Sequence, residues 1–374
     1  MEQGWITELA RRLVGMDTCN PPGREQECAL HLAAILEEVG FGVELHPLAP
    51  GRPNLVAFLP GGDEPPLCLS GHLDTVPLGR APWSFEPLAG LVEGGRLLGR
   101  GASDMKGGVA ALVGAARELA RQKRRRSGVL VVLSAGEETG CQGVEFLARR
   151  GLLPPACGAL LVAEPTSNYP MLGHKGATWF TVQARGRSAH GSMPQLGENA
   201  IEKAARAVVR LGQFDFGTEP HPHMGRPTLN VGTISGGVKT NMVPDQASFT
   251  VDMRTLPGQD PGELLAAIAR HLGPEVELEP GVQAGAVWTP PDHPWARQVM
   301  ELMARVLGRE ISPRGLSYFT DAPTLAAAMG DPPVIILGPG EPGQAHQTDE
   351  FCHLDKIGQA AEVYLEIGRA WLGG

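Results

Sequence analysis

The sequence predicts an α/β fold: a mainly parallel-sheet domain interrupted by an inserted two-layer α+β unit of order β-α-β-β-α-β. Three observations predict it. In the first half of the chain, short continuously apolar runs alternate with stretches of helical periodicity, the pattern of buried strands joined by crossover helices. From about residue 176 to 280 the texture changes to alternating, half-buried strands. Continuously apolar runs resume at Val334, so the middle stretch reads as an insertion and the outer domain as discontinuous.

Taken in order, Trp5, Ile6, Leu9 and Leu13 recur at helical spacing with Glu8, Arg11 and Arg12 between them. Residues 1–13 therefore read as an amphipathic helix rather than a secretion signal with an apolar centre. Buried strands are expected at 67–70, 129–133 and 159–163, and helices at 26–39, 107–121 and 143–150. The basic run 121–126 falls where a helix ends, a place that favours cations through the helix dipole, and reads as solvated surface. The insert holds strands at 178–185, 228–234 and 248–254 and helices near 199–212 and 261–272. A further buried strand is expected at 334–337. The outer domain then spans 1–175 and 287–374 and the insert 176–286, with crossings near Lys175 and Val287.

Composition excludes several classes of function. With 374 residues, 42% hydrophobic and 20% charged, the chain is long enough for two domains with full cores. A formal charge of −9 argues against a nucleic-acid surface. No stretch approaches the ~18 to 20 apolar residues of a membrane span. The six cysteines are scattered with no Cys-x-x-Cys pair, which indicates neither a disulfide framework nor a zinc finger and suits a reducing cytoplasm. Gly and Pro are abundant but sit in short turns between apolar runs.

The polar residues beyond the strands carry the chemistry. His72 and Asp74 stand at one strand end, Glu137 and Glu138 after another, Glu164 after a third and His346 in a loop after the last, where open α/β sheets place their sites. Asp104 lies in a Gly-rich turn opening a helix. Singly, each has an ordinary reading: His72-x-Asp74 as a hydrogen-bonded pair, Asp104 as an N-cap, Glu137-Glu138 as a solvated pair. Together, two histidines and three carboxylates match the mixed oxygen and nitrogen ligand set of two divalent metals ~3.5 to 4 Å apart, with one further glutamate free to act as base.

In this order and along nearly the whole chain, these motifs resemble the M20 family of metallopeptidases and deacylases. That group contains acetylornithine deacetylase, succinyl-diaminopimelate desuccinylase, aminoacylase and glutamate carboxypeptidase. The resemblance implies that Asp104 bridges two metals, that His72 and Glu164 complete one site, and that Glu138 and His346 complete the other. It implies Glu137 as general base, Asp74 as the partner of His72, and a cis peptide between Asp104 and Met105. Glu164 resembles the carboxypeptidase and deacylase branch, where aminopeptidase members tend to carry Asp. The outer segments would form the metal-binding catalytic domain and the insert a lid and dimerisation domain. In that insert, His190 would reach across a homodimer to the substrate carbonyl, and Asn241 and Arg254 would grip the substrate carboxylate. The implied mechanism activates water between the metals, zinc, cobalt or manganese, with Glu137 carrying its proton to the leaving amine while the lid closes about Lys175 and Val287.

Two departures bear on substrate. Desuccinylases usually show two arginines before the glycine that opens the lid, and a Gly-rich Thr-Ser-Asp loop in the last third. Here the first is His174-Lys175-Gly176 and the second Ser317-Tyr318-Phe319-Thr320-Asp321. The reading therefore favours an acetylornithine deacetylase-like or broader N-acyl amino-acid deacylase over a desuccinylase. A carboxypeptidase or dipeptidase is the competitor, and a metal-bound binding protein without catalysis is the alternative outside enzymes.

Overall fold

The computed structural model describes residues 2–373, so Met1, at the start of the first helical reading, lies outside the described residues. The chain divides into two compact units. The first holds the chain up to Gly173, Trp288–Arg314 and the chain from Thr320 onward; the second holds His174–Val287 and Gly315–Phe319.

The first unit contains α1 (Gln3–Val14), α2 (Gln26–Glu38), β1 (Gly42–Ala49), β2 (Arg52–Leu59), β3 (Glu64–His72), α3 (Gly107–Ala120), β4 (Ser127–Ser134), α4 (Gln142–Arg149) and β5 (Ala159–Val162). The second contains β6 (Gly176–Arg185), α5 (Ala200–Leu211), β7 (Thr228–Gly236), β8 (Gln246–Thr255), α6 (Pro261–Leu272) and β9 (Val276–Ala284). Back in the first unit come α7 (Pro294–Leu307), α8 (Ala322–Ala328), β10 (Val334–Ile336) and α9 (Leu354–Leu372).

The first unit's sheet runs β1-β2-β4-β3-β5-β10. Its four central and far strands are parallel, with Leu69 facing Val131 on one side and Leu161 on the other, and Leu161 facing Ile335 in turn. Such strands are covered on both faces, which explains why they read as unbroken apolar runs. One face packs against α1, α2, α3 and α9, burying Leu9, Leu13, Leu112, Val131, Leu161 and Tyr364. Residues of opposite parity, Leu130, Val132 and Leu160, are equally buried, and α4 and α8 contribute Val144, Leu147 and Leu325. The antiparallel hairpin β1–β2 escaped the sequence reading. Pro47 and Pro53 lie opposite each other in it and interrupt the usual strand signature.

The second unit is a four-stranded antiparallel sheet of order β7-β8-β6-β9. Period two dictates its two faces. Phe180, Val182, Ala184, Phe249, Val251 and Met253 bury against Ala204, Leu211, Leu265 and Ile268 of α5 and α6. The other face carries Trp179, Thr181, Thr250, Asp252 and Arg254. Both helices start on side-chain caps. Asn199 accepts from the N–H groups of Ile201 and Glu202, and Asp260 accepts from that of Glu263, ahead of Pro261 at the first helical position.

Candidate active site

Parallel strands open onto one edge, and the first unit uses that edge to gather its polar residues. β3 ends at His72, β4 at Ser134 ahead of Glu137 and Glu138, and β5 at Val162 ahead of Glu164. His346 lies in the loop beyond β10, in a left-handed backbone conformation with φ 64°. Asp104 comes from the turn Ala102–Lys106 that precedes α3; its backbone leaves the helical region, and the Asp104–Met105 peptide is cis.

These side chains meet. His72 Nε2 lies 3.1 Å from Asp104 Oδ1 and 3.7 Å from Glu164 Oε1. His346 Nε2 lies 3.0 Å from Glu138 Oε2 and 3.4 Å from Asp104 Oδ2. Asp104 therefore turns one oxygen to each imidazole. Ligand-type atoms of His72, Glu137 and Glu164 all fall within 4.8 Å of one another, as do those of His72, Asp104 and Glu138. His72, Glu137 and Glu164 are buried, whereas the His346 ring is half exposed.

Charge makes the cluster demanding. Burial pushes the carboxyls of Glu137 and Glu164 well above the usual carboxylate range; the Glu164 charge raises Glu137 further, and the Asp104 and Glu138 charges raise Glu164. Burial opposes the charged form of His72, but the Glu164 carboxylate and the Asp104 hydrogen bond outweigh it and raise that imidazole well above its ordinary value. Hydrogen bonds to Asp104 and Glu138 raise His346 to about 10. Four carboxylates thus face two imidazoles, and Glu138 Oε1 is buried without a hydrogen-bond partner. A mixed oxygen and nitrogen donor set with surplus negative charge and an orphaned carboxylate oxygen fits divalent cations.

Asp74 is the hub behind the cluster. His72 Nδ1 donates to the Asp74 backbone carbonyl at 2.9 Å, and the Asp74 carboxylate stands 3.6 Å from the same nitrogen. That carboxylate accepts the N–H groups of Glu137 at 3.1 Å and Glu138 at 3.2 Å and the amide of Asn20 at 2.8 Å. One buried acid thereby fixes the backbone carrying both glutamates.

Glu350 is a residue the sequence reading missed. Fully buried, it accepts Arg100 Nη1 at 2.7 Å and the N–H groups of Gly101, Ser103 and Asp104 at 2.9, 2.8 and 3.0 Å. It holds the loop that presents Asp104 from the loop that presents His346. No spacing rule reveals it, because its partners lie 246 to 250 residues away. Asn20 escaped for the same reason, 54 residues from Asp74.

The second unit separates the other three named residues. His190 and Asn241 belong together: His190 bridges to Met242, and Gly191 donates its N–H to the Asn241 carbonyl at 2.9 Å. His190 Nδ1 accepts the Ser192 N–H, which leaves the proton on Nε2 and that nitrogen free to donate. Arg254 stands elsewhere. It is ion-paired to Asp252 at 2.8 Å, and its Nη1 reaches the Ser317 carbonyl at a long 3.4 Å. β8 runs from Gln246, paired with Arg185 on the His190 side, to Thr255, paired with Gly176. At ~3.4 Å per residue the strand alone sets Arg254 on the order of 25 Å from Asn241.

The model of peptidase family M20/M25/M40 matches residues 68–370. Among solved structures, an M20 family metallo-carboxypeptidase, Sso-CP2 from Sulfolobus solfataricus, superposes with a TM-score of 0.81 at 18% identity over 100% of both chains. A tripeptidase from Staphylococcus aureus gives 0.76 at 22% identity over 100% of both chains. A dinuclear metal-binding peptidase of the M20 family from Bacillus subtilis gives 0.72 at 16% identity over 99% of this chain and 98% of that one. The likeness to these structures is one of fold.

Proposed function

This chain belongs to peptidase family M20/M25/M40 and is a metal-dependent hydrolase, and from that premise we propose that it removes the acyl group from an N-acyl amino acid, acetylornithine deacetylase-like in the bond it cuts. The observation that carries the reading is the pair of overlapping clusters His72/Glu137/Glu164 and His72/Asp104/Glu138. On this reading Asp104, His72 and Glu164 would hold one divalent cation, and Asp104, Glu138 and His346 would hold the other. Bound there, zinc, cobalt or manganese would polarise the scissile carbonyl and acidify a water molecule.

The chain's own residues do the rest. Glu137, buried beside the ligands, accepts a proton from the attacking water and returns it to the amine as the C–N bond breaks. Asp74 keeps Glu137 and Glu138 on separate tasks by holding both backbone N–H groups. Arg254 takes the substrate carboxylate, while His190 donates from Nε2 to the carbonyl oxygen as it gains charge, beside Asn241. In this reading His190 and Asn241 of one copy serve the site of a second copy, in a homodimer. The six free cysteines suit a reducing, cytoplasmic setting. Among the described residues, no helix is long and apolar enough to cross a membrane.

A carboxypeptidase or dipeptidase is the second reading, because a peptide C-terminus offers the same amide and carboxylate and Glu164 resembles the branch that carboxypeptidases share with deacylases. The test is hydrolysis of N-acetyl amino acids, N-succinyl-diaminopimelate and dipeptides by metal-loaded protein, with a chelated control. Confined cleavage of the acetylated class supports the deacylase; cleavage of peptides alone moves the second reading to first place.

A further inference from the structure

The outer face of the second unit's sheet carries aromatic surface where a carboxylate-binding residue stands. Trp179 lies directly across from Asp252 in the β6–β8 register, on the same face as Arg254. It is 37% exposed, so its ring is open to a ligand on that face. Phe319 meets it edge to face, with ring centroids 6.0 Å apart and planes at 80°. The segment holding Phe319 is tied to this unit by its own backbone: Leu316 accepts the Lys175 N–H at 3.0 Å, and Ser317 accepts Arg254 Nη1. Phe319 also stands in the loop Ser317-Tyr318-Phe319-Thr320-Asp321, two residues from the Ser317 carbonyl that Arg254 reaches.

Charge on this face narrows what fits. Asp252 is already paired with Arg254 through Nε at 2.8 Å and Nη2 at 2.9 Å. Glu279, across from Thr181, takes the Gln183 amide at 3.3 Å. Lys175 lies within electrostatic reach of Arg254. Arg254 and Lys175 balance Asp252 and Glu279, so the face holds no surplus negative charge to draw a cationic side chain. The weakly engaged Nη1 of Arg254 is the donor left for a carboxylate, and beside the rings the carboxylates of Asp252 and Glu279 are already engaged by Arg254 and Gln183.

We propose that Trp179 and Phe319 form the wall of a subsite beside Arg254 that selects substrates whose carboxylate-bearing amino acid has a large apolar or aromatic side chain. This rests on the assignment of Arg254 to the substrate carboxylate and sharpens it: the preferred N-acyl amino acid is apolar, and a cationic one such as an ornithine derivative is disfavoured.

The experiment measures kcat/KM of the metal-loaded, full-length protein on N-acetyl-phenylalanine, N-acetyl-leucine, N-acetyl-alanine and N-acetyl-ornithine. Phenylalanine and leucine derivatives should exceed the alanine derivative by about tenfold or more, the discrimination an apolar pocket supplies. Phe319→Ala and Trp179→Ala should each cut the phenylalanine-to-alanine ratio by roughly fivefold or more, through KM rather than kcat. Phe319→Leu, which keeps apolar bulk, should retain leucine selectivity and guards against a folding defect in the alanine variant. Preference for the ornithine or alanine derivative in the unaltered protein, or ratios unchanged in both alanine variants, overturns the subsite while leaving the deacylase reading intact. Turnover of none of the four overturns the deacylase reading and the subsite with it.

Discussion

Replacing Glu350 with glutamine should loosen the Asp104 loop and weaken metal retention, although Glu350 is not among the proposed ligands. Its two oxygens divide four donors evenly. Oε1 accepts the N–H groups of Ser103 and Asp104, and Oε2 accepts Gly101 N–H and Arg100 Nη1. Glutamine offers one oxygen and one NH2 group, so in either orientation the NH2 confronts two donors and both lose their acceptor. A buried donor left unpaired costs about 1 to 3 kcal/mol, and more where the partner is the Arg100 guanidinium, so the variant should lose roughly 2 to 5 kcal/mol. That is a large share of the ~5 to 15 kcal/mol of a whole domain. Denaturant unfolding reads the stability, and elemental analysis after dialysis reads the metal retained. A Glu350→Gln protein within ~0.5 kcal/mol of the parent, with full metal content, would refute the role given to this residue.

Further outcomes follow from the same geometry. Glu137→Ala should lower kcat by about 10² to 10⁴, the range for losing a general base, while dialysed protein keeps both metals; loss of metal would make Glu137 a ligand instead. Mixing Glu137→Ala and His190→Ala proteins, each inactive alone, should restore about a quarter of normal activity, since half the dimers are mixed and each has one complete site; no recovery after subunit exchange would place His190 and Glu137 in the same copy. His174 is fully buried with Nδ1 on the Lys175 carbonyl, and burial holds its pKa down at about 4. Its neutral ring is favoured by folding, so stability is complete above the ordinary histidine value of about 6.5 and falls as pH drops from there toward 4, by roughly 3 kcal/mol in all. His174→Gln should flatten that part of the pH–stability curve; an identical curve would show that this ring is not the titrating group.

How legible each part was depended on how local its cause is. The strands that carry His72, Glu137 and Glu164 are buried on both faces, so their apolar runs and the polar residues just beyond them stand out in sequence. The insert announced itself through a change of period, because its sheet buries Phe180 and Val182 and leaves Trp179 and Thr181 on the other face. What stayed hidden depends on distant pairing. Glu350 and Asn20 act on loops far away in the chain. The wide separation of Arg254 from Asn241 follows from the β6–β8 register, which no motif encodes. Pro47 and Pro53 masked the edge hairpin. The resemblance placed His190, Asn241 and Arg254 together in the insert, and the sheet sets Arg254 at the opposite end from His190 and Asn241.

The central claim is that this cluster works as a two-metal hydrolytic site. Its most direct measurement titrates metal-stripped protein with zinc, cobalt or manganese while following both bound metal and cleavage of an N-acetyl amino acid. The account predicts two equivalents bound per chain, activity that rises with their binding, and loss of both in His72→Ala and Asp104→Ala. Cleavage that persists in the stripped protein, or metal binding undiminished in both variants, would contradict it.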